Sequence, residues 1–515
     1  MASGNAAADG AAEKRIATRD LTQGPIGSTL LVFALPILAG NVLQSLNGSV
    51  NAIWVGRFLG EAALAATANA NNIMFFLLGA VFGVGMAATI LVGQAMGRHD
   101  VLGAKRVIGT STTFFLGVSV LVAIAGWPLS RHILDWMGTP ADALPLAEAY
   151  LRIIFLAVPS LYLFASVTAL LRGAGDTRTP FWFLLLVVLL DVVINPLLIF
   201  GLGPFPEMGI AGSAMATLVS NLLGLTAMLL WLWKRDHPLW LHRAERGFYR
   251  PDFAILKALV VKGVPMGLQM VLVSLAMIMM ISMVNRHGIE WASAYGAALQ
   301  LWNYVQMPAM AIGAACSSMA AQNVGAGNWA RVDGTARTGT LFNFLLTGAL
   351  IAPIVLLDRH TLGLFLPEGS AVLENARQLN HIAVWSFLFF GVNFVISGVV
   401  RATGAVIPPL LILALALWGI RIPFASLMQP VLGVDAIWWS FPVSALSAML
   451  MSIAYYRFGR WREARMLERP PSPPPDIDEI AVPAGLIAAP NNPVADCCPR
   501  TTPHRHLDDG RVVPA

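Results

Sequence analysis

Charge is scarce in this chain. Asp, Glu, Lys and Arg make up 12% of its 515 residues, about half the share of a soluble globular domain. Hydrophobic residues reach 57% and mean hydropathy is +0.69, which excludes an ordinary soluble fold. Cysteine is nearly missing, with three in all. Cys316 lies in an apolar run and reads as a small packing residue, while the adjacent Cys497 and Cys498 show no partner pattern for a metal or a structural disulfide. There is no G-x-x-x-x-G-K-[ST] phosphate loop and no cluster of nucleophile, base or metal ligands. An enzyme is therefore not expected, and neither is a cofactor or a metal site. Histidines fall mostly in loops and tails, and His381 reads as an interfacial residue.

Long apolar runs are what the chain does have. They are continuous where a membrane barrel would alternate, and each is near the ~20 residues that a helix needs to cross hydrocarbon. The expectation is an all-α polytopic membrane protein with twelve spans, at 29–53, 63–91, 106–130, 149–171, 180–203 and 209–233, then 258–284, 293–321, 336–358, 379–400, 406–430 and 436–457. Residues 1–25 form a polar cytoplasmic segment with no cleavable signal, so the first span acts as the targeting signal. Residues 461–515 form a Pro-rich tail whose composition predicts disorder.

Basic residues set the orientation. With both termini cytoplasmic, 26 of the 33 Lys and Arg fall on that side. The linker 234–257 is dense in them, and the asymmetry follows the positive-inside rule. The net charge of +5 is thus topological, and no nucleic-acid partner is expected.

The halves repeat. "FALPILAGNVLQ" aligns with "KGVPMGLQMVLV", placing Pro36 on Pro265. "GVGMAATILVGQAMG" aligns with "IGAACSSMAAQNVGAG", placing Gln94 on Gln322. "LLRGAGDTRTP" aligns with "VVRATGAVIPP", placing Arg172 on Arg401. The offset is 228 or 229 throughout, and an even number of spans separates the copies. Lobes 26–233 and 258–460 are therefore parallel six-helix repeats, an architecture of secondary transporters.

One carboxylate, Asp191, lies well inside a span, where insertion costs about 2.5–3.5 kcal/mol and a functional role is the default reading. Asn195 follows at i+4 on the same face, and Pro196 removes a backbone donor beside it. The first span carries Asn41, Gln44, Asn47 and Asn51 at helical spacing. That stripe is either interhelical glue or one wall of a polar cavity with Asp191. Arg421, the other charge inside a span, reads as structural or gating, as does Pro196.

The strings "GPIGSTLLVFALPILAGNVLQSLNGSVNAIWVG", "LVGQAMGR", "LLRGAGDTRTP" and "VNFVISGVVRATG" resemble those of the multidrug and toxic compound extrusion (MATE) transporters over about 24–460. The resemblance implies V-shaped lobes and antiport of small cationic amphipathic compounds against H⁺ or Na⁺, in a monomer of the bacterial inner membrane. The DinF-like branch fits better than the NorM-like one, whose acidic residues in helices seven and ten are missing here. That branch binds its coupling ion in the N-terminal lobe. Asn51 stands where the family usually has aspartate, and the helix-five order is Asp191 then Asn195 in place of Asn then Asp. Asn47 and Thr217 match further polar positions of the cluster. The expected ion is H⁺, with Na⁺ the competitor. The alternative function is a lipid-linked oligosaccharide flippase of the wider superfamily.

Overall fold

The computed structural model describes residues 20–363, 366 and 370–467. The tail beyond 467, with Cys497 and Cys498, lies outside them, as does most of the N-terminal segment. The first half consists of α1 (Ile26–Phe58), α2 (Gly60–Gly97), α3 (Val101–Trp136), α4 (Leu144–Gly173), α5 (Arg178–Phe200) and α6 (Ile210–Lys234). A linker with one 3₁₀ stretch, Arg243–Tyr249, leads to α7 (Phe253–Asn285), α8 (Ile289–Gly325) and α9 (Trp329–Leu356). Then come α10 (Asp358–Gly363), α11 (Ala371–Ala383), α12 (Ser386–Arg401) and α13 (Ile407–Ala414). A π-helical turn (Leu415–Arg421), α14 (Ile422–Leu427), α15 (Gln429–Leu432) and α16 (Asp435–Phe458) complete the order.

Local chemistry sets the helix ends. Asp100 caps α3 by accepting the Gly103 N–H, and at the matching place in the second half Asn328 caps α9 through the Arg331 N–H. Such caps satisfy donors that the first turn leaves free. Gly201, at φ +64°, closes α5 in the left-handed region that glycine adopts without strain.

Among the described residues, nine helices are long and apolar enough to cross a membrane, or ten if the bent pair α11 and α12 counts as one. The expected count of twelve is not reached on that criterion. α2 and α8 stand at expected positions but fall outside it, and in α2 the described apolar stretch is only Val81–Gly97. α8 buries Ser317, Ser318, Gln322 and Asn323 among small residues. It packs against α1, α2, α9 and α12, so its surroundings are protein and it has no need to be apolar. The tenth expected span is bent by 43° between α11 and α12, and the eleventh is interrupted by the π turn.

The packing repeats as the sequence does. α4 contacts α2, α3 and α6, while α12 contacts α8, α9 and α16. Across the halves α2 lies on α7, α1 lies on α8, and α2 meets α8, the reciprocal pattern of a two-fold relation. Glycine permits these crossings: a Cβ on Gly83 would run into the backbone of Gly263 and Gly267, and one on Gly97 into the Gln322 carbonyl. The close approaches that join the halves lie toward the linker end of the helices.

The chain is packed beyond position 461. Trp461 is buried and stacks on Tyr456 at 4.8 Å. At the far end of the second half Asp358 lies 2.7 Å from Arg377 Nε and 2.9 Å from His381 Nε2, so His381 serves a surface ion-pair cluster. Burial alone would raise the Asp358 carboxyl. The hydrogen bonds from Arg377 and His381 and the Arg359 N–H outweigh it and hold the group below its usual range.

Two outcomes are expected. Gly83→Ala should lower the melting temperature in detergent, by about 1–3 kcal/mol of overpacking, whereas Gly117→Ala, with open space around it, should be neutral or slightly stabilising. A carboxyl with a depressed pKa contributes stability above its unfolded value and loses it as pH falls through the folded one. The melting-temperature gap between wild type and Asp358→Asn should therefore close as pH drops below the ordinary carboxylate range.

Candidate functional site

α5 brings Asp191 and Asn195 to the inner side of the first half, where both are nearly inaccessible, at 3% and 1% exposure. α1 supplies Asn47 and Asn51 from the facing wall, and α6 supplies Ser213 and Thr217. Asn51 Oδ1 is the hub, accepting from Asn195 Nδ2 at 3.0 Å and from Ser213 Oγ at 2.7 Å. The Thr217 hydroxyl lies 3.4 Å from Asp191 Oδ1 and 3.3 Å from the Ser213 carbonyl. Asn47 also hydrogen-bonds the Asp191 carboxylate. Two acceptors in the pocket, Asn47 Oδ1 and Asn195 Oδ1, are buried without a donor.

Five of the expected site residues thus converge: Asp191, Asn195, Asn51, Asn47 and Thr217. Gln44 does not join them, being exposed on α1. Pro196 sits inside α5 directly after Asn195, so the carbonyl one turn earlier lacks its helical donor. Two members were missed by the sequence reading. Ser213 stands one turn before Thr217, so the i+4 spacing could have found it. Tyr150, buried near the start of α4, places its hydroxyl against Asn51 and within electrostatic reach of Asp191. Nothing in the local sequence marks it.

The other members of the pocket are neutral, and among the described residues no basic side chain hydrogen-bonds or pairs with Asp191. A proton or a cation would complete a set that now consists of a carboxylate and two orphaned amide oxygens, and hard oxygen ligands of this kind suit hard cations.

Arg421 is engaged elsewhere. At the end of the π turn its Nε donates to Ser444 Oγ at 2.9 Å, and the guanidinium lies 4.5 Å from the centre of the Phe441 ring. It neither snorkels nor turns toward Asp191, and it holds the interrupted eleventh span against α16.

A second arrangement lies at the linker end. Gln94 Nε2, on α2, donates 2.7 Å to the Ala402 carbonyl, and Gln322 Nε2, on α8, donates 3.0 Å to the Gly173 carbonyl. Each glutamine thus binds the end of a helix in the other half, and the two bonds are repeat equivalents. Residues 21–24 strap the same region. The Leu21 N–H donates to Gln322 Oε1, and Arg331 donates to the carbonyls of Leu21, Gln23 and Gly24. The linker face is closed by polar bonds that must break if the halves part.

Comparison with known proteins places this geometry in a family. The MatE family profile matches residues 36–197 and 265–427, two matches that begin on the repeat-equivalent prolines. A probable multidrug resistance protein, YoeA, of Bacillus subtilis is 35% identical over 448 residues, covering 87% of this chain and 96% of that one. A probable multidrug resistance protein, NorM, of Thermotoga maritima is 24% identical, over 86% and 95%. A crystal structure of a MATE protein in a bent conformation superposes with a TM-score of 0.80 at 21% identity, covering 86% of this chain and 97% of that one. The chain belongs to the MATE family.

Each glutamine bond is worth about 0.5–1.5 kcal/mol. Replacing both Gln94 and Gln322 by alanine should therefore shift the population toward parted linker-side ends by roughly 5- to 150-fold. Spin-label distances across the linker face should lengthen in the double variant and not in an Asn221→Ala control.

Proposed function

We propose that this protein is a secondary active antiporter that exports small cationic amphipathic compounds in exchange for H⁺, with Asp191 as the group for which proton and substrate compete. The observation that carries the reading is a carboxylate buried among neutral hydrogen-bonding groups, found among the described residues in the first half alone. Deprotonated, it offers a cation one compensating charge in a medium where charge is costly; protonated, it offers none. A protonated Asp191 also adds a donor to a pocket that has two acceptor oxygens without one, which favours H⁺ over the competing Na⁺. Relatives named as multidrug resistance and multidrug export proteins support the substrate class.

The excess of Lys and Arg at the linker face supports cytoplasmic termini in a bacterial inner membrane. In that orientation the glutamine pair closes the cytoplasmic side, and the Asp191 pocket, set in the half of the lobe away from the linker, is served from outside. Both halves of the two-fold arrangement lie in one chain, which supports a monomer with lobes near 26–233 and 258–460. The flippase alternative would want a basic central cavity, whereas Arg421 is occupied by Ser444 and Phe441.

Asp191→Asn removes the charge at nearly constant volume. It should insert and fold at wild-type abundance while gradient-driven efflux falls to background. The assay is transport of a panel of cationic dyes in proteoliposomes under an imposed pH or Na⁺ gradient. Efflux at the wild-type rate by this variant would make the aspartate structural; efflux driven by Na⁺ alone would replace the ion and keep the site.

A further inference from the structure

The two halves treat one arginine differently. Arg172, in the last turn of α4, is the repeat equivalent of Arg401 in the last turn of α12. Arg401 is 4% exposed and compensated: its Nη1 donates to Gln269 Oε1 at 3.0 Å, and its guanidinium lies 5.6 Å from the centre of the Phe394 ring. One turn earlier the Ser397 hydroxyl lies 3.4 Å from Asn393 Oδ1. The first half has none of these partners. Gly40 stands at the position of Gln269, Ala165 at that of Phe394 and Phe164 at that of Asn393. Among the described residues Arg172 has no hydrogen bond, ion pair or ring contact. Thr168 Oγ1, the equivalent of the Ser397 hydroxyl, is buried without a partner.

A cavity stands where those partners would be. Gly40, Phe164, Thr168 and Arg172 line it, together with Pro36 and Pro180. Its volume of about 20 Å³ is room for one water or one small ion. No acidic residue is among its walls. Asp176, the acid next along the chain, turns its Oδ1 to the N–H groups of Arg178 and Thr179 at the head of α5. A guanidinium drawn out of water without a counter-charge is costly, and the hydroxyl beside it is a second donor with no acceptor.

We propose that this cavity binds one small inorganic anion of the size of chloride, held by the Arg172 guanidinium and the Thr168 hydroxyl. The anion takes the place that the Gln269 amide oxygen fills in the second half, and supplies the charge that Arg172 otherwise lacks. A phosphate or an organic carboxylate is too large for the space. Gly40 is what leaves the room: a Cβ there would meet only Leu184 Cδ2, at 3.3 Å, so a glutamine at this position would reach into the cavity as Gln269 reaches Arg401. The site joins α1, α4 and α5 at their linker ends, beside Pro36. It shares no residue with the Asp191 pocket and stands whether or not Asp191 couples transport.

The test uses the full chain purified in detergent in sodium gluconate, whose anion cannot enter, with sodium chloride or bromide titrated in at constant ionic strength. The melting temperature of wild type should rise saturably with either halide. Thr168→Val keeps the shape and removes one donor to the ion, so the half-saturating chloride concentration should rise by about tenfold. Arg172→Gln and Gly40→Gln should each abolish the response, the second by placing an amide where the ion sits. Thr226→Val, an exposed hydroxyl on α6 bonded to its own helix, should leave the response unchanged. If Arg172→Gln folds poorly, Thr168→Val and Gly40→Gln still decide. Crystals grown in bromide should show an anomalous peak beside Arg172. A melting temperature indifferent to chloride overturns the proposal, as does a response that survives in Arg172→Gln. So does a cavity that holds only water at saturating bromide.

Discussion

A carboxylate kept deep in a helix bundle is the constraint around which the first half is built. Among the described residues Asp191 has no basic partner, its hydrogen-bond partners Asn47 and Thr217 being neutral, and leaving a buried charge so weakly compensated is expensive. A salt bridge would have removed much of that expense. The surrounding groups are amides and hydroxyls from four helices, with Asn51 accepting from Asn195 and Ser213 and lying against the Tyr150 hydroxyl. Two amide oxygens of the pocket, Asn47 Oδ1 and Asn195 Oδ1, are likewise left without a donor.

The repeat makes that specialisation visible. In α7, the positions equivalent to Asn47 and Asn51 are Ala276 and Met280, and those equivalent to Asp191 and Asn195 are Ile420 and Phe424. The packing scheme is common to both halves while the polar chemistry belongs to one. Reciprocity is instead kept where the halves touch. The Gln94 and Gln322 bonds, the Gly97 and Gly325 approaches and the caps at Asp100 and Asn328 all occur in pairs. Contacts that must be made across a two-fold axis are duplicated by it, whereas a pocket within one half is free to diverge.

Much of this was legible in the sequence because it rests on periodicity. Asp191 with Asn195, and Asn47 with Asn51, are i and i+4 pairs, and a helix makes neighbours of them without further information. The three aligned segments gave the parallel repeat, and the family match later began at the same two prolines, Pro36 and Pro265. What escaped were features fixed by neighbours distant in the chain. Tyr150 joins the pocket from the start of α4, with no spacing that relates it to Asn51. Gln44 lies on the expected face of α1 yet stays outside the cluster, because that face is wider than the pocket. The breaks in the tenth and eleventh spans were not read either, since hydropathy averages over a window and does not register a 43° bend or a π turn. Part of the shortfall in the span count has the opposite cause: α8 is too polar for lipid because its environment is protein.

The separation of pocket from latch has a mechanical consequence. The Asp191 cluster ties α1, α4, α5 and α6 together within one half, while the polar bonds at the linker face join the two halves to each other. A change of charge at Asp191 can therefore reach the latch only through the helices common to both. Two helices are placed to do so: α4 carries Tyr150 near its start and ends at Gly173, whose carbonyl Gln322 binds, and α1 carries Asn47 and Asn51, packs on α8 and continues into the strap at residues 21–24 that Gln322 and Arg331 hold. Pro36 lies between these two regions and lacks the N–H that would stiffen the helix there. A helix anchored at one end in the Asp191 pocket, weakened in the middle and strapped to the opposite half at the other end is a physical route by which a change in the pocket could bias whether the linker face stays closed.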